Sequence, residues 1–65
     1  MLSLDKQVNL TCIETEKVAS GKVVRMQGNR VDVALDQGGL LISLYMTKPG
    51  LYVGSQSGLE FVMQS

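Results

Sequence analysis

Histidine and tryptophan are absent from this 65-residue chain, cysteine and proline occur once each, and the aromatic residues number one phenylalanine and two tyrosines. Each shortage closes a line of chemistry. Without histidine there is no Ser-His or Cys-His nucleophile pair and no imidazole acting as general acid or base. The single thiol, Cys12, has no second cysteine to bridge to and no histidine with which to form a structural metal set. No stretch approaches the ~18 apolar residues of a membrane helix. The start Met1-Leu2-Ser3-Leu4-Asp5-Lys6 lacks the basic-then-apolar layout of a secretory signal. The expectation is a cytoplasmic protein without membrane contact, in keeping with a lone thiol in a reducing compartment.

Charge of either sign is also lacking in excess. Six basic and six acidic residues cancel to a formal net charge of zero. That disfavours a strongly basic nucleic-acid module while leaving room for weak or shape-selective binding. Glu14, Glu16, Asp32 and Asp36 fall where strand ends and turns are expected, not where a catalytic carboxylate pair would share a cleft. The seven glycines match neither the P-loop nor the dinucleotide fingerprint. No catalytic residue, cofactor or metal is therefore expected. Residues 1–65 are read as a single domain, because a chain this short buries only about 60% of the surface its unfolded form exposes. Its core must be economical, or be completed by a partner or a second copy.

What the chain has in quantity is alternation at period two, with β-branched residues between glycine-bearing turns. In Gln7 to Ile13, Val8, Leu10 and Cys12 share one face, which makes Cys12 a small core residue in place of a reactive thiol. Glu14 to Ser20 is polar and reads as a loop. Lys22 to Gln27 and Arg30 to Leu35 flank Gly28-Asn29, a two-residue hairpin connection. Counting outward pairs Gln27 with Arg30, Met26 with Val31, Arg25 with Asp32 and Val24 with Val33. Val24, Met26, Val31 and Val33 then face the core, and Arg25 with Asp32 makes a cross-strand ion pair on the other side.

The four-residue turn Asp36-Gln37-Gly38-Gly39 continues the count. It sets Leu35 opposite Leu40, Val33 opposite Ile42 and Val31 opposite Leu44, with Ala34 beside Leu41, Asp32 beside Ser43 and Arg30 beside Tyr45 on the outward face. Residues 22–46 form a three-stranded meander on this reading. Lys48-Pro49-Gly50-Leu51 has the proline and glycine positions of a type II turn, after which Leu51 and Val53 resume a short strand. Gly54 to Gly58 reads as a loop, and Leu59, Phe61 and Met63 point inward from a last strand. The fold expected is all-β: a five- or six-stranded antiparallel barrel of the SH3-like or a related kind, since an open sheet this small would leave an apolar face bare.

The run Leu40 to Met46 is apolar on both faces, which a solvated strand does not require. Outside the inferred core lie Val23, Leu41, Tyr45, Tyr52 and Val62, with Arg25 and Arg30 among them. Contiguous exposed apolar area marks a partner or self-association surface. The competing explanation is that the 14–20 loop or a terminus folds over Leu41 and Val62. The expected function is a non-enzymatic binding module for a protein partner or its own copy, with Leu41, Tyr45, Val62 and Val23 as apolar contacts and Arg25 and Arg30 as the polar rim. The alternative is RNA or single-stranded DNA binding, with a base stacked on Tyr45 and phosphate held by Arg25 and Arg30. A structural cation–π contact between Arg30 and Tyr45 would account for the same residues.

Three short stretches carry family resemblances. Gly21-Lys-Val-Val-Arg-Met-Gln-Gly28-Asn-Arg-Val-Asp-Val-Ala-Leu35 resembles the KOW-type segment of small barrels that bind RNA or protein, over about fifteen residues. The strand rhythm from Val8 through Gly38-Gly39 to Leu51-Tyr-Val-Gly54 and Leu59-Glu-Phe61 is similar to PilZ-type barrels. The arginine pair and the Asp/Asn-x-Ser-x-x-Gly turn by which that family binds a cyclic dinucleotide are both missing. Met1-Leu2-Ser3-Leu4 and Gly28-Asn29-Arg30-Val31 resemble the small dimeric RNA-binding carbon-storage regulators, but Leu-Ile-Ser-Leu-Tyr stands where that family has basic residues. None of the three carries a ligand residue onto this chain.

Overall fold

A computed structural model of the chain describes residues 2–64, and they form a closed, six-stranded antiparallel barrel. The strands are β1 (Gln7–Cys12), β2 (Val18–Gln27), β3 (Arg30–Leu35), β4 (Leu41–Lys48), β5 (Leu51–Gln56) and β6 (Leu59–Gln64). Each pairs with the next in sequence, and β6 returns to β1. The described residues include no helix, hence none long and apolar enough to cross a membrane.

The β3–β4 register is the one counted from the turns: Arg30 opposite Tyr45, Val31 opposite Leu44, Asp32 opposite Ser43, Val33 opposite Ile42 and Ala34 opposite Leu41. Directly opposed residues share a face, so one set of contacts fixes both sides of the wall. Inward go Leu10, Cys12, Val23, Val31, Val33, Ile42, Leu44, Phe61 and Met63, all buried. Cys12 is a free, buried core thiol, as expected. Leu2 joins this core from the N-terminal segment, a contribution the alternation pattern did not reveal because Leu2 lies outside any strand. That segment is held by Asp5 N donating to Val23 O (2.7 Å) and Val23 N donating to Lys6 O (3.0 Å).

Several expectations need correction. The β2–β3 register runs from Gln27 opposite Arg30 to Arg25 opposite Asp32, then skips Val24 and resumes with Val23 opposite Val33. This bulge inserts one residue and reverses the side to which everything before it points. Val23, expected on the outer binding face, is consequently completely buried, and Val24, expected in the core, is exposed. Met26, also expected in the core, keeps its place opposite Val31 but is exposed, because it stands next to the hairpin turn where fewer side chains cover it. The connection after β1 is shorter than the 14–20 loop, because Cys12 N donates to Lys17 O (2.8 Å) and β2 already begins at Val18.

The expected Gly54 to Gly58 loop is also replaced. β5 runs on to Gln56, and Ser57-Gly58 alone turns the chain, with φ of 54° and 79°. Positive φ at both central residues is the type I′ pattern that matches strand twist, but a serine there hides the signal that Asn-Gly would have given. Gly54 is a strand residue whose lack of a side chain lets β5 cross close to β4. A Cβ at this position would collide with the carbonyl oxygen of Ser43 and lie 3.0 Å from Leu44 Cδ2. Finally, Leu59, expected inward, is partly exposed beside the β5–β6 turn, and Tyr52, expected outside the core, packs against it, because it lies opposite buried Met63 and alternates with outward-facing Val53.

Candidate functional site

The outward side of β4 carries Leu41, Ser43 and Tyr45, at alternate positions of one strand. Leu41 is 49% and Tyr45 53% exposed, while Ile42 and Leu44 on the other side are fully buried. No loop covers them: the β1–β2 connection instead sends Glu14 to β6, where its Oε1 accepts from Glu60 N at 3.0 Å. The register extends the Tyr45 position sideways. Arg30 lies opposite Tyr45 on β3, Val53 opposite Tyr45 on β5, and Val62 opposite Val53 on β6. Leu41, Tyr45 and Val62 therefore belong to one outer surface, linked by Val53, which the reading of the sequence had not assigned to the site. Val62 and Val53 are half-buried. Val53 was legible only once the β4–β5 turn had set its partner, because its own strand is apolar at several neighbouring positions.

Beside this row the ladder between β4 and β5 ends, although Gly54 still crosses close to Ser43. The two strands pair at Tyr45–Val53, Met46–Tyr52 and Lys48–Leu51, with an irregularity after Met46. The backbone groups of Leu40 and Met46 bond toward β3, to its last residue and to the turn residue just before it (Leu35 N to Leu40 O, 2.8 Å; Met46 N to Asn29 O, 2.9 Å). Alternation therefore aims those of Leu41, Ser43 and Tyr45 at the β5 side. A shallow depression of about 450 Å³ lies there, lined by Ser43, Tyr45, Val53, Gly54, Ser55 and Glu60.

The charged rim is organised differently from the expectation. Arg25 is opposite Asp32 in register, but the ion pair forms within β3: Arg30 Nε to Asp32 Oδ1 at 3.0 Å, with Arg30 Nη2 to Asp32 Oδ2 and to Ser43 Oγ at 3.4 Å each. Arg25 Nη2 donates instead to Gln27 Oε1 at 3.0 Å. Residues two apart on a strand share a face, which lets the longer Arg30 side chain lie over its own neighbour. Asp32 is buried although it points outward, since these side chains cover it.

Burial pushes the Asp32 carboxyl upward. The hydrogen bonds from Arg30 and Ser43 and the charges of Arg30 and Arg25 outweigh it, and the carboxyl ends below its ordinary value. Glu14 is lowered too, first by the backbone N–H of Glu60 and then by its own. The surface thus has a basic flank, Arg25 and Arg30 on β2 and β3, and an acidic flank, Glu60 with Glu14 beside it.

Among the described residues no three His, Cys, Asp or Glu groups gather in a way that would hold a metal ion. No protein-family description, curated protein or solved structure matches this chain.

Proposed function

We propose that the chain is a non-enzymatic binding module that holds a protein against the outward side of β4, with Leu41 and Tyr45 as anchors, Val53 and Val62 extending the apolar surface, and Arg25 and Arg30 at its rim. The observation that carries this reading is the exposure of Leu41 and Tyr45, each about half accessible on a strand whose other side sends Ile42 and Leu44, fully buried, into the core. A solvated strand face has no need of these side chains, and aromatic and aliphatic anchors inside a polar rim are the usual composition of a protein contact. The lone buried thiol suits a reducing, cytoplasmic setting.

The nucleic-acid alternative draws less support. Arg30, the cation nearest Tyr45, is already engaged by Asp32 and Ser43, and its charge is offset before any phosphate arrives. A photo-cross-linking residue at position 45 tests the protein-binding reading in cells. Capture of a protein from position 45, absent from a control at exposed Thr15 and abolished by Leu41→Asp, is the expected result. No capture, or equal capture from both positions, overturns it. A labelled single-stranded RNA that binds with salt-sensitive affinity lost in Arg25→Ala would favour the alternative.

A further inference from the structure

We infer that the barrel takes up an extended peptide segment of another protein between β1 and β6, added as a strand to the free edge of β1. This site shares only Val62 with the β4 face and does not depend on it. β1 and β6 pair at Thr11–Val62 and Cys12–Phe61 and nowhere else among the described residues. Both strands continue past that ladder: β1 begins at Gln7, opposite Lys22 of β2, and β6 runs to Gln64, opposite Leu51 of β5. The next pair in the same register would join Asn9 to Gln64. It does not form, and an opening of about 380 Å³ lined by Asn9, Thr11, Val62 and Gln64 lies there.

Bonds at both ends of β1 fix which way its main chain faces. Cys12 N donates to Lys17 O (2.8 Å) and Val23 N donates to Lys6 O (3.0 Å), so Lys6, Val8, Leu10 and Cys12 turn their N–H and C=O groups toward β2. Ile13 N donates to Glu60 O (2.9 Å) on the other side, so Gln7, Asn9 and Thr11 turn theirs toward β6. Thr11 meets Val62, whereas Gln7 and Asn9 meet the opening. Two donors and two acceptors of exposed residues thus stand along a strand edge, the pattern to which an added strand bonds. The side chains of Gln7 and Asn9 leave that edge bare. Ser20 Oγ on β2 donates to Asn9 Oδ1 at 3.0 Å, and Gln7 Nε2 donates to Asp36 Oδ2 at 2.7 Å. Asp36 is itself bonded to Ser20 O, on the far side of β2. Both side chains therefore lean away from β6.

The edge also states what it would hold. A strand running antiparallel to β1, as β6 does, sets three residues opposite Gln7, Val8 and Asn9. Directly opposed residues share a face. Val8 is half-buried and packs against the core, so the middle residue of the segment sends its side chain inward beside Val8 and should be apolar. Its two neighbours lie outward beside Gln7 and Asn9 and should be polar. Those two bond to β1 through their own N–H and C=O groups and cannot be proline, whereas the N–H of the middle residue faces away from β1. A second copy of the chain has no lone strand to insert, because each of its strands is already flanked on both sides in the closed barrel. The break between β4 and β5 offers no equivalent place, since Gly54 crosses close to the Ser43 carbonyl.

The test begins with amide hydrogen exchange of the purified chain. Gln7 and Asn9 should exchange quickly, while Val8 and Leu10, bonded to β2, are protected. A phage-displayed library of random linear peptides is then selected on the protein, and a selected peptide is titrated into isotope-labelled chain. Binding should shift and protect the Gln7 and Asn9 amides. Methylation of the peptide's backbone nitrogen at either position paired with β1 should weaken binding at least about tenfold, and at the middle position should leave it within about twofold. Asn9→Pro removes a donor that β2 does not use and should also weaken binding about tenfold; Asn9→Ala keeps that donor and should bind like the wild type. Circular dichroism checks the fold of both variants, and the methylated peptides decide the matter if Asn9→Pro unfolds.

Gln7 and Asn9 amides as protected as Leu10 in the free monomer, or methylation equally harmful at all three positions, overturns strand addition at β1. Protection of Gln7 and Asn9 that disappears on dilution puts a second copy at the edge and overturns the peptide as its occupant. A library that yields no binder overturns the site. One whose binders shift only Leu41 and Tyr45 also overturns it, while supporting the β4 face.

Discussion

The two sides of β4 are almost equally apolar in sequence and opposite in circumstance. Ile42 and Leu44 point into the barrel and are fully buried, whereas Leu41 and Tyr45 point out and are about half accessible. Hydrophobicity alone does not distinguish a core position from a contact position; the phase of the strand does. That phase was set by two turns flanking β3, and the five β3–β4 pairs follow it without interruption. The comparison teaches that stability resides on one side of this strand while the other is open to the proposed contact, so substitutions on the two sides should separate these properties.

The largest effect should come from the inner side. Leu44→Ala removes most of a completely buried side chain at the centre of the core and should destabilise the fold by about 2–5 kcal/mol, measured as a lowered urea midpoint. Gly54→Ala should rank next, at roughly 2–3 kcal/mol, because the new Cβ meets a backbone carbonyl that cannot rotate away. It would act by prising β5 from β4, so amide exchange should rise at Ser43 and Val53 before it rises in β3.

Between the sides stands Asp32, an outward residue buried under its neighbours. Arg30→Ala should cost more stability than Asp32→Asn, because the first leaves a buried carboxylate uncompensated and the second leaves an exposed guanidinium in water. It should also raise the Asp32 pKa, followed by the NMR shift of its carboxyl carbon. In the wild type the folded-state pKa of Asp32 is below its unfolded value near 3.9. Its contribution is therefore fully present above about pH 4 and lost as pH falls through the lowered folded value. Urea midpoints measured from neutral pH downward should be flat in this respect until about pH 4 and then decline.

Smaller changes sharpen the contrast. Ser57→Gly should stabilise by about 0.5–1 kcal/mol, since Ser57 holds a positive φ that glycine adopts without strain. Leu41→Ser on the outer side should change monomer stability by no more than about 0.5 kcal/mol. If Leu41→Ser instead unfolds the chain, the division of β4 into a structural and a contact side is wrong.

Sequence reasoning read the meander well and the closure poorly, for identifiable reasons. Gly28-Asn29 and Gly38-Gly39 constrain the register locally, so Arg30–Tyr45 and Ala34–Leu41 could be counted without knowing the rest of the molecule. The bulge at Val24 could not. Val23 and Val24 are the same residue type, and only the simultaneous pairing of Val23 with Lys6 on one side and Val33 on the other decides which of them enters the core. Likewise Ser57-Gly58 resembles an ordinary polar loop until β6 is placed beside β5. Leu2 reads as a terminal residue until the barrel offers it an end to close.

Of the proposed binding surface, Leu41, Tyr45, Arg25 and Arg30 were legible because their strand partners were; Val53 was not, and Val23 was misplaced by a single inserted residue. Alternation and turn chemistry, which act over a few residues, determined from the sequence alone that this chain is all-β, how β3 meets β4, and that β4 is apolar on both sides. The tertiary structure decided which valine is buried, that Arg30 rather than Arg25 holds Asp32, and that Val53 and Val62 join Tyr45 on one outer row. Those outcomes depend on strands distant in sequence closing around one core, and no local pattern encodes where such strands meet.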